Sequence, residues 1–191
     1  MMKKILLALL LAATSISDVS AQKGMSGLGV NVPFAVGAST TSLGIGVKYY
    51  YNISNYFRIE PSAEYQAFHS GGDKEEYNCP LFKAFLNGHV FFASPRPVRP
   101  YLIAGLGYVY YEQRIVRSTN PYYRDYYSDD GFNYNIGLGL DIRLSHSLSM
   151  QVEATGMSCL ICSNDDNGSY EYRNHKGRWL FIARVGLAYN F

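Results

Sequence analysis

Charge is scarce in this sequence. Asp, Glu, Lys and Arg make up 17% of its 191 residues and sum to a formal +2 at pH 7. No run of Lys or Arg follows Lys3 and Lys4, so the chain lacks the cationic field that draws nucleic acid by counterion release. No nucleic-acid partner is expected. Cysteine is rarer still, at three residues, an odd number that cannot pair completely within one chain. Long apolar runs are missing beyond the first 21 residues, which excludes a bundle of membrane helices, each needing about 20 apolar residues. Nevertheless 48% of the residues are hydrophobic, with 18 Tyr, 10 Phe and 18 Gly, and the mean hydropathy is only −0.10. Apolar residues are therefore plentiful but dispersed, a profile of β-structure rather than of helix or disorder. The length fits one domain.

The exception is the start of the chain. Met1 to Lys4 is basic, Ile5 to Ala13 is apolar, and Val19, Ser20 and Ala21 form a small-residue site before Gln22. This pattern predicts a cleavable secretory signal peptide over residues 1–21 and a mature domain over 22–191. Thr14, Ser15, Ser17 and Asp18 end the apolar run too early for an anchor helix. Removing Lys3, Lys4 and Asp18 leaves 15 basic and 14 acidic residues.

A two-residue period decides the fold class. From Phe132 to Leu144 the even positions are Phe132, Tyr134, Ile136, Leu138, Leu140, Ile142 and Leu144, whereas the odd ones are Asn133, Asn135, Gly137, Gly139, Asp141 and Arg143. Alternation over this length exceeds the usual soluble strand of about five or six residues and suits a tilted strand crossing a bilayer. The same period runs through Tyr56 to Ala67, from Leu148, and from Trp179 to Phe191. Weaker versions span Leu28 to Val36, Leu43 to Tyr51, Leu81 to Phe92 and Tyr101 to Tyr111. These segments predict an all-β chain: an eight-stranded antiparallel transmembrane β-barrel preceded by the signal peptide.

A water-soluble barrel would share this alternation but would turn its charged face outward. Here the polar face mixes charge with glycine, which suits a crowded small lumen better than an exposed strand surface. The predicted lumen charge network comprises Lys48, Arg58, Lys83, Arg143 and Arg184, offset by Glu60, Glu64, Asp141 and Glu153. His89 falls alone on the same inward face. Short links at 52–55, 93–100 and 145–147 alternate with longer ones at 68–79, 112–131 and 158–177, as expected for short periplasmic turns and long outer loops. Tyr49, Tyr51, Tyr108, Tyr110, Tyr134, Trp179 and Tyr189 suit interfacial girdles.

At these residues the sequence resembles the OmpA/OmpX-like superfamily of outer-membrane β-barrels, often described as porin-family proteins. The likeness spans about Gly24 to Phe191. It is most specific in Val185, Leu187, Tyr189 and Phe191, alternating up to a terminal Phe, and in Pro100, Tyr101, Gly105, Leu106, Gly107 and Tyr108. The resemblance implies location in the bacterial outer membrane, lipid as surroundings, and recognition of the Val185 to Phe191 segment by the outer-membrane assembly machinery. It also implies a barrel without the peptidoglycan-binding domain of longer members. Pro33 and Pro61 depart from the pattern; each removes a ladder donor and marks an expected bulge.

The remaining candidates are weak. Cys159 and Cys162 form a CxxC in an expected outer loop, and Cys79 sits at the edge of another; an oxidising surrounding favours a structural disulfide among them, with the pairing open. A zinc site needs more ligands than are visible, and no metal or cofactor is assigned. Asp129, Asp130, Asp165 and Asp166 lack the spacing of a calcium loop. His146 and Ser147 suggest a lipid A deacylase or acyltransferase, but they fall in a short turn on the wrong side of the membrane, so no enzymatic activity is expected. Tyr122, Tyr123, Tyr126 and Tyr127 with Arg117, Arg124 and Asp125 suit recognition of an unidentified outer ligand, as in an adhesin. A filled lumen, with a structural or surface-interaction role, is the reading these features support.

Overall fold

The computed structural model describes residues 24–36, 40–71, 75–92, 97–118, 126–162 and 179–191. The expected signal peptide lies outside these residues, as do Tyr122, Tyr123, Arg124, Asp125, Asp165 and Asp166. Every described element is a strand: β1 Ser26–Val36, β2 Thr40–Asn52, β3 Phe57–Gly71, β4 Glu75–Phe91, β5 Val98–Ser118, β6 Tyr126–Arg143, β7 Leu148–Cys162 and β8 Leu180–Asn190. Each pairs antiparallel with the next, and β1 pairs with β8 to close the barrel. Closure satisfies the spanning backbone without a free sheet edge, the condition for a β-structure to persist in hydrocarbon.

The two-residue period sorts the side chains. Leu43, Ile45 and Val47 on β2 point out, Leu43 at 65% exposure, whereas Lys48 and Asn52 beyond them are buried. On β8, Phe181 is 71% exposed and Ile182 beside it is buried. A soluble fold would leave such a belt of exposed Leu, Val, Ile and Phe in water; here the belt fits lipid and the polar residues fill the inside.

The interior is not wholly polar. Leu81, Phe85, Val109, Met157 and Ile182 form one buried cluster, and Phe91, Tyr101 and Ile103 another. Inward glycines make room for large rings: a Cβ on Gly27 would strike the Tyr50 ring, and one on Gly139 would strike Tyr101. These aromatics are buried on the face read as glycine and charge, because a cramped lumen packs each ring against a neighbour's missing side chain.

The first and last described residues meet at one end of the barrel, called here the terminal end. Ser26 and Phe191 exchange backbone hydrogen bonds of 3.0 and 2.9 Å, and the Asn52 amide donates to the Met25 carbonyl at 3.0 Å. Links at this end are short. At the opposite, far end the strands run well past their expected limits. β1 and β8 have 11 residues, but β4, β5 and β6 have 17, 21 and 18. A bilayer crossing takes about 9–11 residues, so β4 to β6 continue as a ribbon beyond it. Most of the residues expected in the long loops therefore lie in strands, including Cys159 and Cys162 in β7. The prolines are corrected too. Pro33 and Pro61 keep the register on both sides of an interrupted stretch of ladder, and the register shifts lie elsewhere, at Glu76/Tyr77 and Phe132/Asn133.

Candidate functional site

The lumen gathers the ionisable side chains that the period turns inward. At its centre Glu64 on β3 receives Lys83 from β4 at 2.7 Å and Arg184 Nε from β8 at 2.5 Å. Asn31 on β1 donates to the same carboxylate at 3.2 Å. Glu153 on β7 accepts from Lys48 Nζ and from the Tyr101 hydroxyl, both at 2.9 Å. Arg184 Nη1 lies 3.9 Å from Glu153 and donates to Thr155 at 2.5 Å. Lys48 also lies 3.7 Å from Glu60. Three cations and three carboxylates from five strands thus cross-link the barrel through its middle. A buried charge is tolerable only when paired and hydrogen-bonded, and this layer meets that condition by bridging each cation to a carboxylate of another strand.

Toward the terminal end the chemistry changes. Asp141 on β6 accepts from Arg58 at 2.9 Å and from Arg99 at 2.6 Å. Arg58 also donates through Nε to Asn52 at 2.9 Å, and its guanidinium sits 4.0 Å from the Tyr50 ring. Arg99 lies 4.1 Å from the Phe91 ring. Both arginines are 1% exposed. Aromatic faces and one shared carboxylate hold two guanidinium groups here, an arrangement suited to arginine because its flat cation stacks as well as forks.

The structure thus brings together Lys48, Arg58, Glu60, Glu64, Lys83, Asp141, Glu153 and Arg184. Arg143 stands apart: it is half-buried at the terminal rim and makes no ion pair among the described residues. The cause is position, since it is the last residue of β6 and its nearest inward cross-strand neighbour is Ser149. Sequence pattern alone misses Arg99, because it lies between two prolines, Pro97 and Pro100, where a turn is the natural expectation. His89 is not alone; its ring stacks on Tyr101 at 4.8 Å and its Nε2 lies 3.7 Å from Glu60.

Outside the lumen, Val185, Leu187, Tyr189 and Phe191 all face outward and are exposed. So are Tyr49, Tyr51, Tyr108, Tyr110 and Trp179, while Tyr134 is half-buried with its ring edge-on to Trp179 at 5.5 Å. Tyr56, expected inward, is exposed in the turn before β3. Cys79 is a free thiol and Cys159 is in a disulfide; the side chain of Cys162 lies outside the described residues.

Comparison with curated proteins gave no match. Among solved structures the fold is similar to Neisserial surface protein A, with a TM-score of 0.61 at 11% identity, covering 91% of this chain and 100% of that one. It is also similar to a major outer membrane protein from Thermus thermophilus, with a TM-score of 0.58 at 10% identity and coverages of 87% and 99%. A third likeness is to Ail, the attachment invasion locus protein of Yersinia pestis, with a TM-score of 0.55 at 11% identity and coverages of 88% and 99%. At such identities these likenesses are of fold. The sequence itself matches the family described as outer membrane protein beta-barrel domain over residues 5–191. The chain belongs to that family, and it is a protein of the bacterial outer membrane.

Proposed function

We propose that the protein is a closed, non-enzymatic barrel with a structural and surface-interaction role, its lumen filled rather than open as a wide pore. The observation that carries this reading is the ion-paired layer of Lys48, Glu64, Lys83, Glu153 and Arg184, which spans the interior from strand to strand. Eight strands enclose a space about wide enough for side chains alone, and here those side chains are locked to one another. Reconstitution into planar bilayers tests the reading: no large, stable ohmic conductance is expected, and observing one overturns it.

The surface role rests on the ribbon of β4 to β6. By the habit of bacterial barrels, short turns face the periplasm and long connections face outside, which puts the ribbon outside the cell. It carries Arg114, Arg117, Tyr126 and Tyr127, residue types enriched where proteins bind partners. Ail, a protein named for attachment and invasion, shares the fold. Shortening β5 and β6 to the bilayer limit, while keeping the barrel, is expected to reduce binding of cells or matrix; unaltered binding counts against the role. The outward Val185 to Phe191 segment is proposed as the signal for the assembly machinery, so deleting Phe191 is expected to lower the amount of folded barrel in the outer membrane. Amino-terminal sequencing of the membrane form is expected to begin at Gln22.

A further inference from the structure

The terminal end of the lumen holds more positive charge than its carboxylate balances. Arg58 and Arg99 share Asp141 there and Arg143 stands at the rim two residues beyond it, whereas the centre sets three cations against three carboxylates. Buried donors without partners accompany that excess of charge. Arg58 Nη1, Gln151 Nε2 and Asn190 Nδ2 are buried N–H groups without partners, on side chains more than nine-tenths buried; Arg143 Nε at the rim is a fourth. Among the described residues of this end the orphaned acceptors are Asp141 Oδ1, Gln151 Oε1 and Asn55 Oδ1, while the Ser149 hydroxyl and the two His89 ring nitrogens can act either way.

The register collects these groups. Asp141 is opposite Arg99 on β5 and Gln151 on β7, and the next inward pair toward the rim is Arg143 with Ser149. Arg58 reaches the row by its contact with Asp141. An orphaned buried N–H and an unbalanced buried cation each cost free energy, and an anion seated among them offsets both. Guanidinium forks match the paired oxygens of an oxyanion. We infer that the terminal end of the lumen is a binding site for a small free oxyanion of the phosphate or sulfate class, held by Arg143, Arg58 and Gln151.

Arg143 forms the mouth of this site and the ion-paired centre forms its floor, so the ion enters and leaves by the terminal end without crossing the barrel. The strand wall separates the site from lipid headgroups, which leaves free anions as its occupants. The test is calorimetric titration of inorganic phosphate into the full chain folded in zwitterionic, phosphate-free detergent micelles. Saturable binding of one phosphate per chain is expected. Arg143→Gln and Gln151→Leu are each expected to weaken it about tenfold, the effect of losing one charge-assisted or buried donor, with both variants checked for the heat-modifiable gel mobility of a folded barrel. Weakening in either folded variant supports the site. Absence of saturable binding by the unmodified chain, or undiminished affinity in the folded variants, overturns it.

Discussion

The centre and the terminal end of the lumen are built from the same residue types and reach different balances. At the centre Arg184 leans between Glu64 and Glu153, Lys83 completes Glu64, and Lys48 lies between Glu153 and Glu60. At the terminal end one carboxylate, Asp141, serves two arginines, and a third stands at the rim. Burial does not separate the two regions, since Arg58 and Arg99 are as buried as the central charges; their partners do. Ring faces of Tyr50 and Phe91 take the place of a second carboxylate beside Arg58 and Arg99. Arg143, half-buried at the rim, is within reach of water and ions, so the sequence tolerates an excess of cations there.

The largest test of this contrast is Glu64→Gln, which leaves Lys83 and Arg184 facing each other without their shared carboxylate. A loss of about 3–5 kcal/mol is expected, read from urea unfolding by gel mobility, and added phosphate is not expected to restore it. Asp141→Asn is expected to cost about 3 kcal/mol by the same reasoning. Here phosphate is expected to recover part of the loss, because an anion from the mouth can replace the missing charge; equal insensitivity of the two variants would erase the distinction between the regions. Gly139→Ala drives a methyl into the Tyr101 ring and is expected to cost about 1–3 kcal/mol. The smallest effect is expected for Arg143→Gln, within about 0.5 kcal/mol, since this side chain has no ion pair to lose among the described residues; a large destabilisation would show that it belongs to the network after all.

The strand cores were legible because the membrane imposes one rule on every second residue. Where that rule holds, as from Phe132 to Leu144, lipid and lumen select opposite side chains and the strand declares itself. Beyond the bilayer both faces are wet, the alternation fades, and residues such as Glu75 to Pro80 or Glu112 to Ser118 read as loop even though their backbones continue the ladder. Ladder pairing uses backbone groups that every residue but proline possesses, so sequence pattern does not report it. The same limit hid the buried rings. Tyr50 and Tyr101 find room in a small lumen only because Gly27 and Gly139 stand opposite them, a pairing that local pattern does not report.

The sequence by itself determined the two-faced strand, the count of eight, and the inward charges of the strand cores, though not Arg99 between its two prolines, because a period of two depends only on neighbours along the chain. Which cation meets which carboxylate was decided by tertiary structure. Lys48 and Glu153, or Arg184 and Glu64, are separated by 105 and 120 residues, and they meet only because closure of β8 on β1 fixes the strand register around the barrel. The excess of arginine at the terminal end has the same origin, since it depends on Arg99 and Arg58 converging on one aspartate from different strands.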